Sequence, residues 1–152
     1  DRMSFVAIVR QPIKPSDILQ RVGGDEDGAS ILFVGVVRNH NDGFPVKGVR
    51  YEAYEKMAKS VLEEIVMEAQ SEYGTDRIAT VHRIGDLVVG DVSVAVAVSS
   101  HHREQSFLAS RFIMEEIKKR LPVWKKEFYL DGREDWTAGI TPTSVLITEP
   151  TG

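Results

Sequence analysis

The sequence of 152 residues has the length of one domain, and its hydrophobic fraction of 42% and charged fraction of 28% are ordinary for a globular protein. Its formal net charge is −4, and the absence of cysteine excludes disulfides, thiolate metal ligands and a cysteine nucleophile. No apolar run approaches the ~20 residues that span a bilayer, and no signal peptide is recognisable, so we expect a cytoplasmic protein that does not enter a membrane.

The hydrophobic pattern alternates between strands and helices along the chain. Short β-branched or alternating runs predict strands over residues 4–9, 29–37, 49–54, 77–84, 92–98 and 124–130, with a further short segment at 87–89. Apolar residues at helical spacing predict helices over residues 15–22, 55–73 and 104–120. The turn-forming residues of 38–46 predict a loop. This mixed order is typical of an α+β fold with a largely antiparallel sheet.

Glycine and proline mark where regular structure changes. Gly35 interrupts an otherwise apolar strand and predicts a bulge. Pro122 ends the last long helix because its ring and missing N–H do not fit a helix interior. We predict that residues 1–136 form a single domain. Residues 137–152, rich in Thr and Pro, are predicted to form a C-terminal tail that orders only against a neighbour.

A short basic segment stands out against the acidic chain. Residues 102–126 contain seven Lys/Arg and three Asp/Glu, a net +4, while the rest of the chain carries −8. A local cationic field on an acidic protein favours one specific anion over general polyanion binding. The negative total charge, and the lack of exposed aromatic residues interleaved with the basic ones, argue against a nucleic-acid partner.

The last long helix carries candidate site residues at both of its ends. His102 and Arg103 stand where a strand gives way to the helix, and free N–H groups together with a guanidinium suit a phosphate. Lys118 lies at the margin of the apolar helix face, where partial desolvation makes a lysine a better base. The alternatives are plain ones, namely a helix cap with a locally packed histidine and a snorkelling surface lysine.

Three further cations lie on other predicted elements. Lys125 shares its strand face with Glu127 and Tyr129, while Lys126 points to the opposite face. Arg38 emerges where a core strand reaches the surface, a common position for ligand-binding groups. Taken alone, these features also fit a charged strand and a solvated loop arginine. The four histidines show neither i,i+4 spacing on a helix nor a neighbouring thiolate, so we expect no metal site.

A set of short motifs occurs in one order over residues 28–136. They are Gly28-Ala29, Phe33-Val34-Gly35-Val36-Val37-Arg38, Tyr51-Glu52-Ala53-Tyr54, His82-Arg83-Ile84-Gly85, Gly90-Asp91, His102-Arg103, Lys118 and Pro122-Val123-Trp124-Lys125-Lys126-Glu127. Each motif is weak alone, but the ordered set resembles the catalytic (large) subunit family of molybdopterin synthase.

The resemblance implies a fold, a reaction and a partner. The fold would be an α+β domain of hammerhead type, mostly antiparallel, with an additional β subdomain. The enzyme would be a sulfurtransferase of molybdenum cofactor biosynthesis that converts cyclic pyranopterin monophosphate to molybdopterin by forming its dithiolene. The sulfur would come from the C-terminal thiocarboxylate of a small ubiquitin-like carrier ending in Gly-Gly, so no cofactor is expected. Two large subunits would form a homodimer within a heterotetramer.

By position, the resemblance assigns roles to five residues. Lys118 and Lys125 match the family's two catalytic lysines. Arg38, His102 and Arg103 match its pocket for the substrate and its phosphate. In some family members a basic residue near the C-terminus also reaches the neighbouring subunit, but here nothing after Arg133 is Lys or Arg. The alternative function is a non-catalytic module that binds a ubiquitin-like tail or a phosphorylated metabolite in the same pocket.

Overall fold

The computed structural model describes residues 4–137. Within that range the chain forms nine strands and three helices: β1 (Ser4–Val9), α1 (Pro15–Leu19), β2 (Ala29–Val36), β3 (His40–Asn41), β4 (Phe44–Ala53), α2 (Glu55–Tyr73), β5 (Arg77–Arg83), β6 (Gly85–Val88), β7 (Val92–Ser100), α3 (Arg103–Arg120), β8 (Val123–Tyr129) and β9 (Glu134–Thr137). The predicted mixed fold with antiparallel-rich sheets is confirmed. Apart from Thr137, the predicted tail lies outside the described residues, and the domain boundary at residue 136 stays a prediction.

The larger core is built on a four-stranded sheet in the order β1-β5-β7-β2, in which only β1 and β5 run parallel. Alternation along β7 sends Val96 and Val98 to the side covered by α2 and α3, where they meet Leu62 and Ile113. Ala95 and Ala97 face the opposite side, which α1 covers with Ile18. Both faces of β7 are therefore buried, as its run of small and β-branched residues predicts.

A second sheet has the order β3-β4-β8-β9, with β6 paired to the other part of β4. Its small core consists of Val37, Val49 and Leu87, with Tyr51 packed against both this core and the larger one. Only Leu121 and Pro122 separate α3 from β8. The second sheet is thus connected directly to the C-terminal end of α3, which places Lys118 and Lys125 on either side of one tight connection.

The structure corrects the predicted loop over residues 38–46. Its central part is a β-hairpin in which β3 pairs with the start of β4 through His40↔Pro45 and Asn41↔Phe44. Asp42 and Gly43 have φ of 50° and 82°, the left-handed conformation that a two-residue hairpin turn of Asp-Gly requires. Strand β9 was not predicted either. By contrast, α2 begins and ends at the predicted residues, and the predicted bulge lies between Gly35 and Val36.

None of the three helices found between residues 4 and 137 combines the length and the apolar character that a membrane-spanning helix needs.

Candidate active site

An apolar groove lies between β2 and α3 on the open edge of the four-stranded sheet. Its volume is about 470 Å³. Phe33 from β2 and Phe107 and Met114 from α3 contribute apolar surface, and Arg111 lies at its side. Phe33 and Phe107 are 41% and 57% exposed, which is unusual for phenylalanine. Such a groove can hold a flat ring and leave charged substituents to its rim.

Lys118 lies one helical turn beyond Met114, which lines this groove, but Lys118 itself is not among the lining residues. Its neighbours in the last turn of α3 are occupied, since Lys119 pairs with Glu116 at 3.5 Å and Arg120 with Glu68 at 2.7 Å. Among the described residues, no ion pair or hydrogen bond engages the Lys118 ammonium. The side chain is exposed in the single chain, whereas the sequence predicted partial desolvation. Lys118 is therefore free to meet an incoming anion.

Lys119 could pair with Glu115 or with Glu116 on the helix surface. The Glu115 carboxylate pairs with Arg111 at 3.0 Å, and Lys119 pairs with Glu116. Both arrangements satisfy the i,i+3 or i,i+4 rule, so helix geometry alone does not choose between them.

Lys125 is held on a buried carboxylate of its own strand. Its Nζ lies 3.1 Å from Glu127 Oε2, with Lys125 34% and Glu127 5% exposed. Asn41 Nδ2 donates to Glu127 Oε1 at 2.6 Å, and the Tyr129 hydroxyl donates to the same oxygen at 3.0 Å. The predicted sharing of one strand face by Lys125, Glu127 and Tyr129 is confirmed. A buried carboxylate is stable only when it is paired and hydrogen-bonded, and here both oxygens are engaged.

Arg38 lies two residues after the end of β2. Val37 anchors this exit by donating its N–H to the carbonyl of Asp91 at 2.9 Å and accepting from the N–H of Gly90 at 2.8 Å. The Arg38 side chain is exposed. Across residues 4–137 it has no acidic partner within ion-pair distance, so its guanidinium is available to a phosphate.

His102 and Arg103 lie at the opposite end of α3. His102 is the N-cap residue with extended backbone, and its side chain makes no capping hydrogen bond. Ser100 does not cap the helix either; its hydroxyl donates to the His102 carbonyl and contacts the Ser106 hydroxyl at 2.6 Å. Arg103 is exposed. His102 and Arg103 are therefore both exposed beside the first turn of α3, whose free N–H groups can bind an anion.

The length of α3 separates these two groups within one chain. Ser106 Oγ donates to the carbonyl of Ala29, so the helix begins beside the start of β2 and runs along it. Arg103 and Lys118 are fifteen positions apart on one straight helix, about 22 Å along its axis. Within one chain, Lys118 and Lys125 therefore flank the connection at the C-terminal end of α3, and His102 and Arg103 lie at its other end.

Two further residues near the site are Arg133 and the buried His82. His82 is buried, stacks edge-on against Tyr51 at 5.2 Å, and shares a 2.9 Å hydrogen bond with the Arg83 carbonyl. Desolvation by burial lowers the pKa of His82 to about 4, although that hydrogen bond opposes the shift. The Arg133 guanidinium lies over the rings of Phe44 and Tyr129 in its own chain, 4.4 and 4.2 Å from their centroids. No cluster of three or more metal-ligating side chains occurs in residues 4–137.

The sequence missed several members of this site. Phe33 and Met114 were placed only within a predicted strand and a predicted helix, and the structure shows that both line the groove. Asn41 was assigned to a loop, and Glu127 was seen only as a face partner of Lys125. An isolated glutamate between lysine and aromatic residues on a strand is a weak signal for a buried carboxylate, because its burial depends on strands that are distant in the sequence.

Comparison with known proteins agrees with this architecture. The family described as MoaE protein matches residues 8–120. The molybdopterin synthase catalytic subunit of Thermoplasma volcanium is 38% identical over 133 residues, which cover 88% of this chain and 97% of that protein. The crystal structure of molybdopterin synthase from Staphylococcus aureus superposes with a TM-score of 0.83 at 34% identity, covering 88% of this chain and 96% of that one.

A more distant structure shares the fold. A chain in the complex of subunits 1 and 2 of molybdopterin-converting factor from Helicobacter pylori has a TM-score of 0.72 at 19% identity, over 89% of this chain and 91% of that chain. The family match covers more than half of the chain, and the relatives align over nearly their whole length. The chain therefore belongs to the MoaE family, the family of the molybdopterin synthase catalytic subunits.

Proposed function

We propose that this chain is the sulfurtransferase subunit that converts cyclic pyranopterin monophosphate to molybdopterin. The sulfur is delivered as the C-terminal thiocarboxylate of a small ubiquitin-like carrier. Two sulfur atoms form the dithiolene, and each delivery leaves the carrier with a carboxylate in place of its thiocarboxylate. Family membership supports the reaction class. The absence of cysteine from all 152 residues fits it, because the chain has no thiol of its own to pass on.

One observation carries the proposal at the level of the site. Along α3 the apolar groove is lined as far as Met114 and Glu115, and Lys118 follows in the next turn as the cation that the described ion pairs leave unengaged. A pterin ring system fits an apolar groove with exposed phenylalanine walls. A free ammonium one turn beyond it can stabilise the negative charge of the thiocarboxylate and transfer a proton as sulfur is added.

The remaining cations divide into two tasks. Lys125, fixed on Glu127 and still one-third exposed, contacts the substrate or activates the leaving oxygen. Arg38, His102 and Arg103 bind the substrate phosphate, for which guanidinium groups and helix N–H groups are suited. Lys126 lies outside the site because it pairs with Glu134 at 2.9 Å on the other face of β8.

The separation along α3 supports a site completed by a second copy of the chain. A single chain leaves Arg103 about 22 Å along the helix axis from Lys118. We propose that the protein forms a homodimer in which His102 and Arg103 of one chain reach the groove of the other. A two-fold dimer makes two such composite sites. With one carrier on each chain the assembly is a heterotetramer, and the H. pylori structure, itself a complex of two subunits, is consistent with a small-subunit partner.

The first test compares two adjacent lysines in an assay with the pyranopterin and a thiocarboxylated carrier. Lys118→Ala is expected to lower turnover about 10²–10⁴-fold, the usual range for a lost acid–base group. Lys119→Ala is the matched control, because it removes a lysine of the same helical turn that is paired on the surface. Turnover of Lys118→Ala equal to that of Lys119→Ala would reject the assignment of Lys118.

The second test examines the composite site by mixing two inactive variants. Lys118→Ala and Arg103→Ala damage different sites of a dimer if each site takes one residue from each chain. Random reassembly of equal amounts then restores roughly a quarter of wild-type turnover, since half of the dimers carry one intact site. A mixture that stays as inactive as its components would show that each chain uses its own Arg103.

A further inference from the structure

Three polar side chains form a closed ring of hydrogen bonds beneath Lys125. Asn41 Nδ2 donates to Glu127 Oε1 at 2.6 Å and to the Tyr129 hydroxyl at 3.0 Å. The Tyr129 hydroxyl in turn donates to Glu127 Oε1 at 3.0 Å. This uses both amide hydrogens of Asn41 and the single hydrogen of the tyrosine. Each donor is therefore engaged, and both hydrogen bonds to the carboxylate end on the same oxygen.

The ring fixes the orientation of the Glu127 carboxylate. An ionised carboxylate only accepts hydrogen bonds, and two donors on Oε1 leave Oε2 directed at Lys125 Nζ, 3.1 Å away. Glu127 and Tyr129 are each only 4% exposed, so water does not replace a lost donor easily. Lys125 keeps two further N–H groups for other partners, because an ammonium carries three.

We propose that Asn41 and Tyr129 are positioning residues for the sulfur-transfer reaction. They hold Glu127, and Glu127 holds the ammonium of Lys125 where it meets the substrate. The inference rests on the proposed function for Lys125 itself. It extends the site to the β3–β4 hairpin, since Asn41 reaches Glu127 across 86 residues of sequence. The hairpin thus contributes to catalysis without contacting the substrate through Asn41.

A purely structural role for the same residues makes a different prediction. If Asn41 only ties the hairpin to the sheet, its loss lowers stability and leaves the turnover of folded enzyme unchanged. If it positions Lys125, its loss lowers turnover only while Lys125 is present. Energetic coupling between two residues is measured by comparing single and double variants.

The activity experiment uses Asn41→Ala and Tyr129→Phe in the complex with thiocarboxylated carrier. Tyr129→Phe removes the hydroxyl and keeps the ring that lies edge-on against Phe44. Each variant is expected to lower kcat ~10-fold, with KM for the carrier changed less than ~2-fold, the scale of a displaced catalytic group. In a Lys125→Gln background neither change lowers kcat further. Asn39→Ala is the matched control, because within residues 4–137 the Asn39 side chain hydrogen-bonds to the exposed neighbour His40 and not to Glu127 or Tyr129.

A chemical-labelling experiment measures the positioning without relying on turnover. An amine-reactive N-hydroxysuccinimide ester is applied to wild type and variants, and labelling of Lys125 and Lys126 is read by mass spectrometry. In the Asn41→Ala and Tyr129→Phe variants, release of Lys125 from Glu127 is expected to raise the labelling rate of Lys125 at least ~3-fold, on the scale of one lost charged hydrogen bond. Lys126 is the internal control, since its own partner is Glu134.

The two readouts separate failure of the inference from failure of the proposed function. Wild-type enzyme that forms no product refutes the proposed function, and the labelling rates then decide alone whether Asn41 and Tyr129 hold Lys125. Unchanged labelling of Lys125 in both variants overturns the inference. The inference is also overturned if Asn41→Ala or Tyr129→Phe lowers kcat in the Lys125→Gln background by the same factor as in the wild-type background.

Discussion

The two faces of strand β8 present the same residue types in opposite settings. The inner face carries Lys125 on Glu127, where the carboxylate is buried and receives three hydrogen-bonding partners. The outer face carries Lys126 on Glu134, where the carboxylate is half exposed. There the hydrogen bond from Lys126 lowers the pKa of Glu134, and the ammonium lies 5.4 Å from the centre of the Trp136 ring. Burial of the carboxylate thus separates the two pairs, and burial of the lysine does not, since Lys126 is 23% exposed and Lys125 34%.

This difference has an energetic basis. Exposed ion pairs contribute about 0–1 kcal/mol because water screens them and two long side chains lose freedom. A buried carboxylate instead creates a strict requirement for partners, and removing one partner leaves an unsatisfied group. Side chains on the inner face are therefore held in a fixed geometry, and substituting one of them destabilises the others. Substitutions on the outer face are expected to be tolerated.

The largest expected effect is on turnover. Lys125→Ala should lower the rate of product formation about 10²–10⁴-fold, because it removes a group that contacts the reacting substrate. Lys126→Ala should leave the rate within ~2-fold, because its ammonium serves a surface ion pair. Steady-state rates of both variants with the same carrier preparation check the comparison. Equal losses for the two lysines would show that the faces do not differ in function.

The next effect concerns pH and the buried His82 behind Tyr51. Since its folded pKa of about 4 lies below the unfolded value, the unfolded chain binds more protons between about pH 4 and 6.5. Above about pH 6.5 His82 is neutral in both states, and its effect on the free energy of unfolding no longer changes with pH. As the pH falls through the window, protonation of the unfolded chain lowers the free energy of unfolding by roughly 3 kcal/mol in total. His82→Asn keeps a donor for the Arg83 carbonyl and removes the titration.

Urea unfolding of wild type and His82→Asn at several pH values between 4 and 7 measures this contribution. The free energy of unfolding of the variant should depend less steeply on pH than that of wild type. The exposed His101 provides the control, as His101→Gln should retain the wild-type slope. Equal slopes for wild type and His82→Asn would mean that His82 is not buried in its neutral form.

The smallest expected effect compares the two carboxylates. Glu127→Ala should lower the free energy of unfolding by about 1–3 kcal/mol, because it leaves the Asn41 and Tyr129 donors buried without their acceptor. Glu134→Ala should change it by less than about 1 kcal/mol, as an exposed pair. Denaturant titrations at neutral pH distinguish the two. A larger loss for Glu134→Ala would reverse the assignment of the buried face.

Local pattern was sufficient for elements whose signal lies within one segment. Helix α2 was predicted over its observed residues because an apolar stripe and the terminal Gly74, with φ of 70°, both lie within a few turns of chain. The bulge at Gly35 was visible for the same reason. The separation of Arg103 from Lys118 also follows from the predicted helix, through its rise per residue.

The hairpin and the buried carboxylate needed information that local pattern does not hold. Residues 38–46 are rich in turn formers, and only the pairing of His40 with Pro45 distinguishes a hairpin from a loop. The contact of Asn41 with Glu127 joins residues 86 positions apart. It depends on the register of β4 against β8, which sets Val49 opposite Glu127 and Tyr51 opposite Lys125. A shift of one residue would have placed Lys126 inside and Lys125 outside.

The central claim is that this chain catalyses sulfur transfer, with substrate in the groove between β2 and α3 and Lys118 as the acid–base group. The most direct measurement incubates the purified chain with cyclic pyranopterin monophosphate and a thiocarboxylated carrier and detects the product by mass spectrometry. We predict a dithiolene product that contains two sulfur atoms, together with carrier that has lost its thiocarboxylate sulfur. Carrier that binds the chain but keeps its sulfur, with the pyranopterin unchanged, would contradict the account and leave a binding module.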